Sequence, residues 1–294
     1  MYFPSGIITS MVTNFKENGE VDYSGIVKNL EFQRKSGIKE VCVLGGTGEA
    51  TSLSKSQRHK IMEKVMENSD ELEIIFGALV GNLSDVTEDI KKAKELGASA
   101  CLVMPPPFIM PSNKDVIRYF ENLEQLGMPL IIFNSPGRLG YDLPTSTILE
   151  IGTMNNVVGV KESSGDIVKL QSIIQNNSSK TFSILTGGDT MYLPSIAVGA
   201  NGGLVALPSV IPELFLKMNN SLDKSDYESA QKYHYNIKKL DDLIYKESHP
   251  IPLKVAMECR GLLKANCRLP FKTIDENLKD KVVSTVNQLD IVNN

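Results

Sequence analysis

Histidine, paired cysteines and long apolar segments are scarce in this chain of 294 residues, and each absence excludes a class of protein. The only histidines are His59, His234 and His249, which are far apart in the sequence and show no HxxxH or HxH spacing. We expect them in exposed helices or loops, and we predict no metal site and no cofactor. The four cysteines form no CxxC pair, which is typical of a reducing compartment.

Four further absences narrow the class of protein. No apolar run is long enough to span a bilayer, and the opening MYFPSGIITS lacks the basic and apolar regions of a secretory signal. The net charge is −4 with no basic stripe, so neither nucleic acid nor a membrane is an expected partner. No GxSxG sequence is present, which argues against a serine hydrolase. We therefore predict a cytoplasmic protein that acts on small molecules.

What the sequence does contain is an alternation of two patterns over about 220 residues. Eight short apolar runs predict buried strands at 6–12, 38–44, 72–79, 98–104, 129–133, 157–161, 182–185 and 203–207. Eight segments of helical periodicity follow them, at 23–35, 55–68, 85–96, 113–126, 144–153, 167–175, 191–198 and 212–219. Glycine often closes a helix just before the next strand, as in SGIKEVCVL and LGASACLVM.

This alternation predicts an α/β fold, a closed (β/α)₈ TIM barrel over residues 1–223. A C-terminal helical region over 224–294 follows, with helices expected at 225–246, 253–264 and 275–289. An open, doubly wound sheet is the alternative. It would need a glycine-rich phosphate loop after the first strand, whereas this chain has MVTNFKENGE there.

The stretch VVGVKESSGD at 157–166 places Lys161 at the end of a predicted buried strand. Burial disfavours the charged ammonium, and a neutral amine can attack a carbonyl to give a Schiff base. The alternative is a structural lysine whose stem is buried and whose head reaches water.

Two other strand ends carry polar groups suited to an anionic ligand. The sequence GGTGE at 45–49 offers backbone N–H groups and the Thr47 hydroxyl to a carboxylate, and Glu49 can tie this loop to its neighbours. Arg138 can pair with a carboxylate through its planar guanidinium. Taken singly, the first is also explained as a glycine-rich turn and the second as a surface arginine.

Together these residues resemble the dihydrodipicolinate synthase / N-acetylneuraminate lyase family of class I aldolases over nearly the whole chain. The motifs that carry the resemblance are GGTGE at 45–49, FNSPGR at 133–138, GVKESSGD at 159–166, LTGGD at 185–189, PIPLK at 250–254 and RLP at 268–270. The resemblance implies a barrel with C-terminal helices, a homotetramer, and pyruvate bound to Lys161 as a Schiff base without a metal. It assigns a catalytic set of Lys161, Thr47 and Phe133 and a substrate-binding set of Gly46, Thr47, Arg138, Gly187 and Leu204.

Three departures from the family pattern bear on the reaction. Gly46 stands where the family usually has a hydroxyl residue, Phe133 where it usually has tyrosine, and Pro107 and Phe108 where an aromatic hydroxyl often crosses a subunit interface. Arg138 favours condensation of pyruvate with an aldehyde such as aspartate semialdehyde. The departures keep two alternatives open: a 2-keto-3-deoxy sugar-acid aldolase or N-acetylneuraminate lyase-like enzyme, and a 2-keto-acid-binding paralogue with weak or no turnover.

Overall fold

Eight parallel strands close into a barrel in the computed structural model, which describes residues 2–271 and 274–289. Each strand pairs with the next in the chain, and β8 closes the barrel against β1. The strands are β1 Gly6–Ser10, β2 Glu40–Val43, β3 Glu73–Ala78, β4 Ala100–Val103, β5 Leu130–Asn134, β6 Val157–Glu162, β7 Ser183–Thr186 and β8 Gly202–Val205. The predicted (β/α)₈ barrel is therefore confirmed, and the open-sheet alternative is excluded.

Helices pack around the barrel and continue into a C-terminal group. They are α1 Tyr23–Lys35, α2 Lys55–Met66, α3 Leu83–Glu95, α4 Asn113–Glu124, α5 Pro136–Leu139, α6 Thr145–Ile151, α7 Ile167–Asn176, α8 Tyr192–Ala197, α9 Pro212–Asp223, α10 Tyr227–Ile244, α11 Ile251–Cys259 and α12 Glu276–Gln288. Short 3₁₀ turns lie at Ala50–Ser52 and Leu207–Ser209. No helix among the described residues is long and apolar enough to cross a bilayer.

The strands are buried on both faces, and their side chains alternate between two apolar cores. On β5, Ile131 and Phe133 point into the barrel, whereas Leu130 and Ile132 pack against the surrounding helices. A third core joins α9 to the C-terminal helices and reaches the barrel at Val205. Because this core is continuous with β8, the C-terminal helices are held against the barrel near its carboxyl end.

Local signals account for most element boundaries. The Ser54 side chain caps α2 in a reciprocal pair with Gln57, and Asp166 caps α7 by accepting from the Val168 and Lys169 backbones. The expected helix at 253–264 is shorter in the structure, since α11 ends at Cys259 and Gly261 then adopts a left-handed φ of 70°.

One helix of the structure has no counterpart in the sequence predictions, and one predicted boundary is not tested by the structure. Helix α5 was not predicted, because its four residues follow the FNSPGR turn and are too few to show a period. The boundary between residues 223 and 224 falls between α9 and α10 and stays a prediction. Residues 272–273 and 290–294 of the predicted helical region lie outside the described part of the chain.

Candidate active site

A pocket of about 290 Å³ opens at the carboxyl ends of the strands. Side chains from β1, β5, β6, β7 and β8 and from the loop after β2 line it, together with side chains from the C-terminal helical region. The structure brings every predicted site residue to this one pocket: Gly46, Thr47, Phe133, Arg138, Lys161, Gly187 and Leu204.

Lys161 lies at the inner wall of the pocket because of strand register. It is paired with Phe133 on β5 and with Leu185 on β7, and all three point into the barrel. Its amine lies 4.6 Å from the centre of the Phe133 ring, and the residue is 8% exposed. Burial lowers the pKa of Lys161 to about 8, and the nearby Arg138 charge acts in the same direction, whereas Cys42 and Asp189 oppose it. The neutral amine is therefore a minor but appreciable fraction near neutral pH, much larger than for an ordinary lysine.

The loop after β2 is held in an unusual backbone conformation. Leu44 and Glu49, which flank the GGTG sequence, have left-handed φ angles of 62° and 53°. The Thr13 hydroxyl donates to the Gly48 carbonyl at 2.6 Å, and the Lys254 ammonium donates to Glu49 Oε1 at 2.6 Å. Non-glycine residues persist in this region only where their surroundings fix them, which is typical of binding sites.

The loop turns polar groups towards the pocket. The backbone N–H groups of Gly46 and Thr47 have no acceptor among the described residues, so they remain available to an anion. The Thr47 hydroxyl lies 3.1 Å from His249 Nε2. The prediction that all three histidines lie in exposed contexts is wrong, because all three are partly buried. His59 Nε2 lies 3.0 Å from the buried Asp89 carboxylate, and the His249 ring lines the pocket from the C-terminal region.

Burial, together with the charges of Arg138 and Lys161, lowers the pKa of His249 to about 3. The imidazole is thus neutral at physiological pH. The Ile244 carbonyl lies near the ring and favours its protonated form, but that contact falls outside hydrogen-bond geometry, so Nδ1 has no partner within residues 2–271 and 274–289. The ring stacks on Tyr245 with centroids 4.8 Å apart.

Asp189, from the LTGGD motif, is buried beside Tyr245. Its Oδ1 accepts from the Leu207 backbone at 2.7 Å, and its Oδ2 accepts from the Tyr245 hydroxyl at 3.2 Å. Burial, together with the neighbouring Asp241 charge, raises the pKa of Asp189 to about 7. The Tyr245 ring is half exposed, but its hydroxyl is turned inwards onto this carboxyl group.

Arg138 projects over the pocket mouth. Its guanidinium carbon lies 3.6 Å from the point that a Gly46 side chain would occupy, and no carboxylate within the described ranges forms an ion pair with it. The cation is therefore available to a substrate carboxylate.

The absence of a side chain at Gly187 allows the segment after β7 to lie close to Ser163 and Lys161 in the pocket wall. A Cβ at this position would overlap the Ser163 hydroxyl and lie 2.9 Å from Lys161 Cε. The turn that carries Ser163 is fixed by Glu162, which accepts from the Ser164 backbone at 2.6 Å. The expected turn and helix cap after Lys161 are thus present, with Asp166 as the cap.

Tyr141 lies outside this arrangement. Its hydroxyl donates to the Pro106 carbonyl at 3.0 Å, and its side chain does not line the pocket. It is therefore not placed to substitute for the phenol that Phe133 lacks.

Sequence reasoning missed Tyr245 and His249 as pocket residues. Both immediately precede the PIPLK motif at 250–254, and that motif was the only local signal that this segment contributes to the site. No group of three His, Cys, Asp or Glu side chains in the part of the chain that the structure describes is arranged to hold a metal ion.

Comparison with known proteins shows which family the chain belongs to. The model of the Dihydrodipicolinate synthetase family matches residues 3–289. The 4-hydroxy-tetrahydrodipicolinate synthase of Methanosarcina barkeri is 29% identical over 288 residues, which are 98% of this chain and 99% of that protein. The synthase of Methanothrix thermoacetophila is 31% identical over 274 residues, 92% of each chain.

Solved structures show the same likeness. Dihydrodipicolinate synthase from Aquifex aeolicus has a TM-score of 0.93 at 26% identity, covering 98% of this chain and 99% of that one. The enzyme from Bacillus anthracis has a TM-score of 0.94 at 26% identity with the same coverage. These findings confirm the prediction of a dihydrodipicolinate synthase-like lyase at the level of the family, and the chain belongs to the dihydrodipicolinate synthetase family.

Proposed function

We propose that this chain is a class I lyase that binds pyruvate as a Schiff base on Lys161 and condenses it with an aldehyde. The observation that carries the proposal is the buried Lys161 amine, whose pKa is about 8, facing a pocket rimmed by free N–H groups and a cation. A buried amine with a lowered pKa supplies enough of its neutral form to act as a nucleophile, and the imine it forms with a 2-keto acid stabilises the adjacent carbanion without a metal.

The pocket offers a separate group to each charged part of the reactants. The backbone N–H groups of Gly46 and Thr47 hold the pyruvate carboxylate, and Leu204 supplies an apolar wall for the methyl group. Arg138 faces the aldehyde and pairs with its carboxylate, which favours aspartate semialdehyde as the acceptor. Carbon–carbon bond formation then joins the enamine carbon to the aldehyde carbon.

A 2-keto-3-deoxy sugar-acid aldolase is the second candidate, and one observation favours it. Ser163 Oγ and Asp241 Oδ1 are buried at the pocket and have no hydrogen-bond partner among the described residues. Hydroxyl groups of a sugar acid would satisfy them, whereas a short aldehyde would leave them unpaired.

The test is a panel assay with the purified chain, pyruvate and three aldehydes: aspartate semialdehyde, glyceraldehyde and N-acetylmannosamine. We expect turnover with aspartate semialdehyde and a loss of about ten- to a hundredfold in its kcat/KM on Arg138→Lys. Arg118→Lys is the control, since Arg118 is exposed and contacts only Asp115. Preference for glyceraldehyde would support the second candidate, and turnover of none would indicate a binding paralogue.

We further propose a homotetramer in the cytoplasm. Phe108, Ile109 and Met110 after β4 are 90%, 70% and 63% exposed, and apolar groups exposed together in this way are typical of an interface. The four cysteines are free thiols, as expected in a reducing compartment. Light scattering should give the mass of four chains, and a concentration-independent monomer would contradict the assembly.

A further inference from the structure

The contact between Thr47 and His249 joins two segments that are 202 residues apart in the sequence. Thr47 lies on the loop that faces pyruvate, and His249 lies in the turn between α10 and α11. Both side chains line the pocket that contains the Lys161 amine. The ring also stacks on Tyr245, with centroids 4.8 Å apart, so it is held by its face as well as by Nε2.

Proton transfer from Thr47 to His249 requires one of the two tautomers of the neutral ring. A neutral imidazole carries one N–H and one lone pair. With the hydrogen on Nδ1, which has no partner among the described residues, Nε2 offers its lone pair to the Thr47 hydroxyl 3.1 Å away. In this tautomer Thr47 donates to His249, and its own oxygen lone pairs can still accept a proton.

The pair lies in the pocket where a proton carrier is needed, and the positions at which the family usually has hydroxyl groups supply none. Phe133 has no hydroxyl beside the Lys161 amine, and Gly46 has no side chain. The Tyr141 hydroxyl donates a hydrogen bond to the Pro106 carbonyl outside the pocket. Schiff-base formation nevertheless requires a proton to leave nitrogen and another to reach the departing oxygen.

We propose that His249 is the proton-transfer partner of Thr47 in Schiff-base formation, in place of the phenol that Phe133 lacks. The inference rests on the proposed function. His249 acts on pyruvate only through the Thr47 hydroxyl, so it is a positioning residue for that hydroxyl.

The steps balance as follows. The Lys161 nitrogen attacks C2 of pyruvate, a C–N bond forms, and the carbonyl π pair moves to oxygen. The nitrogen loses a proton to Thr47 Oγ1 as Thr47 passes its own proton to His249 Nε2. The proton then returns through Thr47 to the substrate oxygen, which leaves as water with a second proton that it takes from solvent, while the nitrogen lone pair forms the C=N bond of the protonated imine.

The environment of His249 favours a short-lived imidazolium. Burial and the charges of Arg138 and Lys161 make the imidazolium a strong acid, so it returns the proton readily to a departing hydroxyl. The carboxylate of bound pyruvate offsets part of that positive charge while the imidazolium exists.

The test separates proton transfer from hydrogen bonding. In His249→Gln the amide oxygen can still accept from Thr47 but cannot take up its proton. With saturating pyruvate as the probe, we expect the rate of Lys161 adduct formation, trapped by borohydride, to fall by about 10²–10⁴-fold. The pyruvate concentration at half-saturation should not change. His234→Gln is the matched control, because His234 lies on α10 outside the pocket, and it should leave both quantities unchanged.

Two further measurements test the inference if His249→Gln folds poorly. In His249→Ala, added imidazole should restore the rate. In the unaltered protein, the rate in mixtures of H₂O and D₂O should show two coupled protons in flight, since nitrogen-to-oxygen and oxygen-to-imidazole transfers occur together.

A wild-type rate in His249→Gln, no rescue by imidazole, or a single-proton solvent dependence would each overturn the inference. Failure of the unaltered protein to form any Lys161 adduct would instead overturn the proposed function, and this pair with it.

Discussion

At the scale of single residues, the reactivity of the site depends on the charge state of Lys161. In the proposed reaction its amine attacks pyruvate only when neutral, and its pKa of about 8 is set first by burial. The neutral fraction grows as pH rises through the pKa. The rate of Schiff-base formation should therefore increase across pH 8 and level off above it, as measured by borohydride trapping at a series of pH values.

The neighbouring charges should move the midpoint of this pH-dependent rate increase in opposite directions. Arg138 lowers the pKa of Lys161 and Asp189 raises it. Arg138→Met should shift the rate increase to higher pH, and Asp189→Asn should shift it to lower pH, which makes each variant the control for the other. Shifts of the same sign in both variants would show that altered burial, and not charge, determines the pKa of Lys161.

Phe133 and Gly46 test whether the usual relay can be restored. Phe133→Tyr places a phenol beside Lys161, and a Cβ at Gly46 would meet only ordinary contacts with Arg138. We expect the double variant Phe133→Tyr, Gly46→Thr to raise kcat by more than the product of the single effects, because members of one relay act as a unit. Phe133→Tyr alone should cost about 1–3 kcal/mol of stability if its hydroxyl finds no partner.

Kinetics and urea unfolding of the two single variants and the double variant would check this expectation. If no variant exceeds the wild-type kcat, the pocket is built around Phe133 and the proton route does not depend on a phenol.

At the scale of elements, the wall of the site depends on how closely β6 and β7 approach. Gly187→Ala should slow Lys161 adduct formation at least about tenfold and cost roughly 1–3 kcal/mol of stability. Rotating Ser163 relieves one overlap, but Ser163 Cβ at 2.8 Å and Lys161 Cε at 2.9 Å remain too close. Gly137→Ala is the matched control, because its Cβ would meet open space at the same pocket mouth. Equal rates of adduct formation in the two variants would contradict the claim that Gly187 must lack a side chain next to Ser163 and Lys161.

Elements with a strong period were predictable, and contacts between distant elements were not. The run VVGVKE shows its burial in its own composition, so β6 and Lys161 could be placed from sequence. His249 could not, because its environment is created by Thr47, which is remote in the sequence. The family motifs gave the residues of the strand ends, whereas Tyr245 and Asp189 meet only once the C-terminal helices fold back.

At the scale of the whole molecule, the C-terminal region holds the loop that faces pyruvate. Lys254 on α11 and Glu49 are almost fully buried and form an ion pair at 2.6 Å. Lys254→Met should lower the free energy of unfolding by about 3–5 kcal/mol, because the Glu49 charge is left buried without a partner.

The double variant Lys254→Met, Glu49→Leu should recover most of that stability yet bind pyruvate more weakly, since the loop loses its anchor. Urea unfolding and pyruvate titration measure both effects. If Lys254→Met is as stable as the wild type, the pair does not anchor the loop.

The central claim of this account is a covalent pyruvate adduct on Lys161. Borohydride added to the protein with saturating pyruvate, followed by digestion and mass spectrometry, should place one reduced pyruvate on the peptide that contains Lys161, and Lys161→Met should remove it. An adduct on any other lysine, or no adduct at saturating pyruvate, would contradict the account.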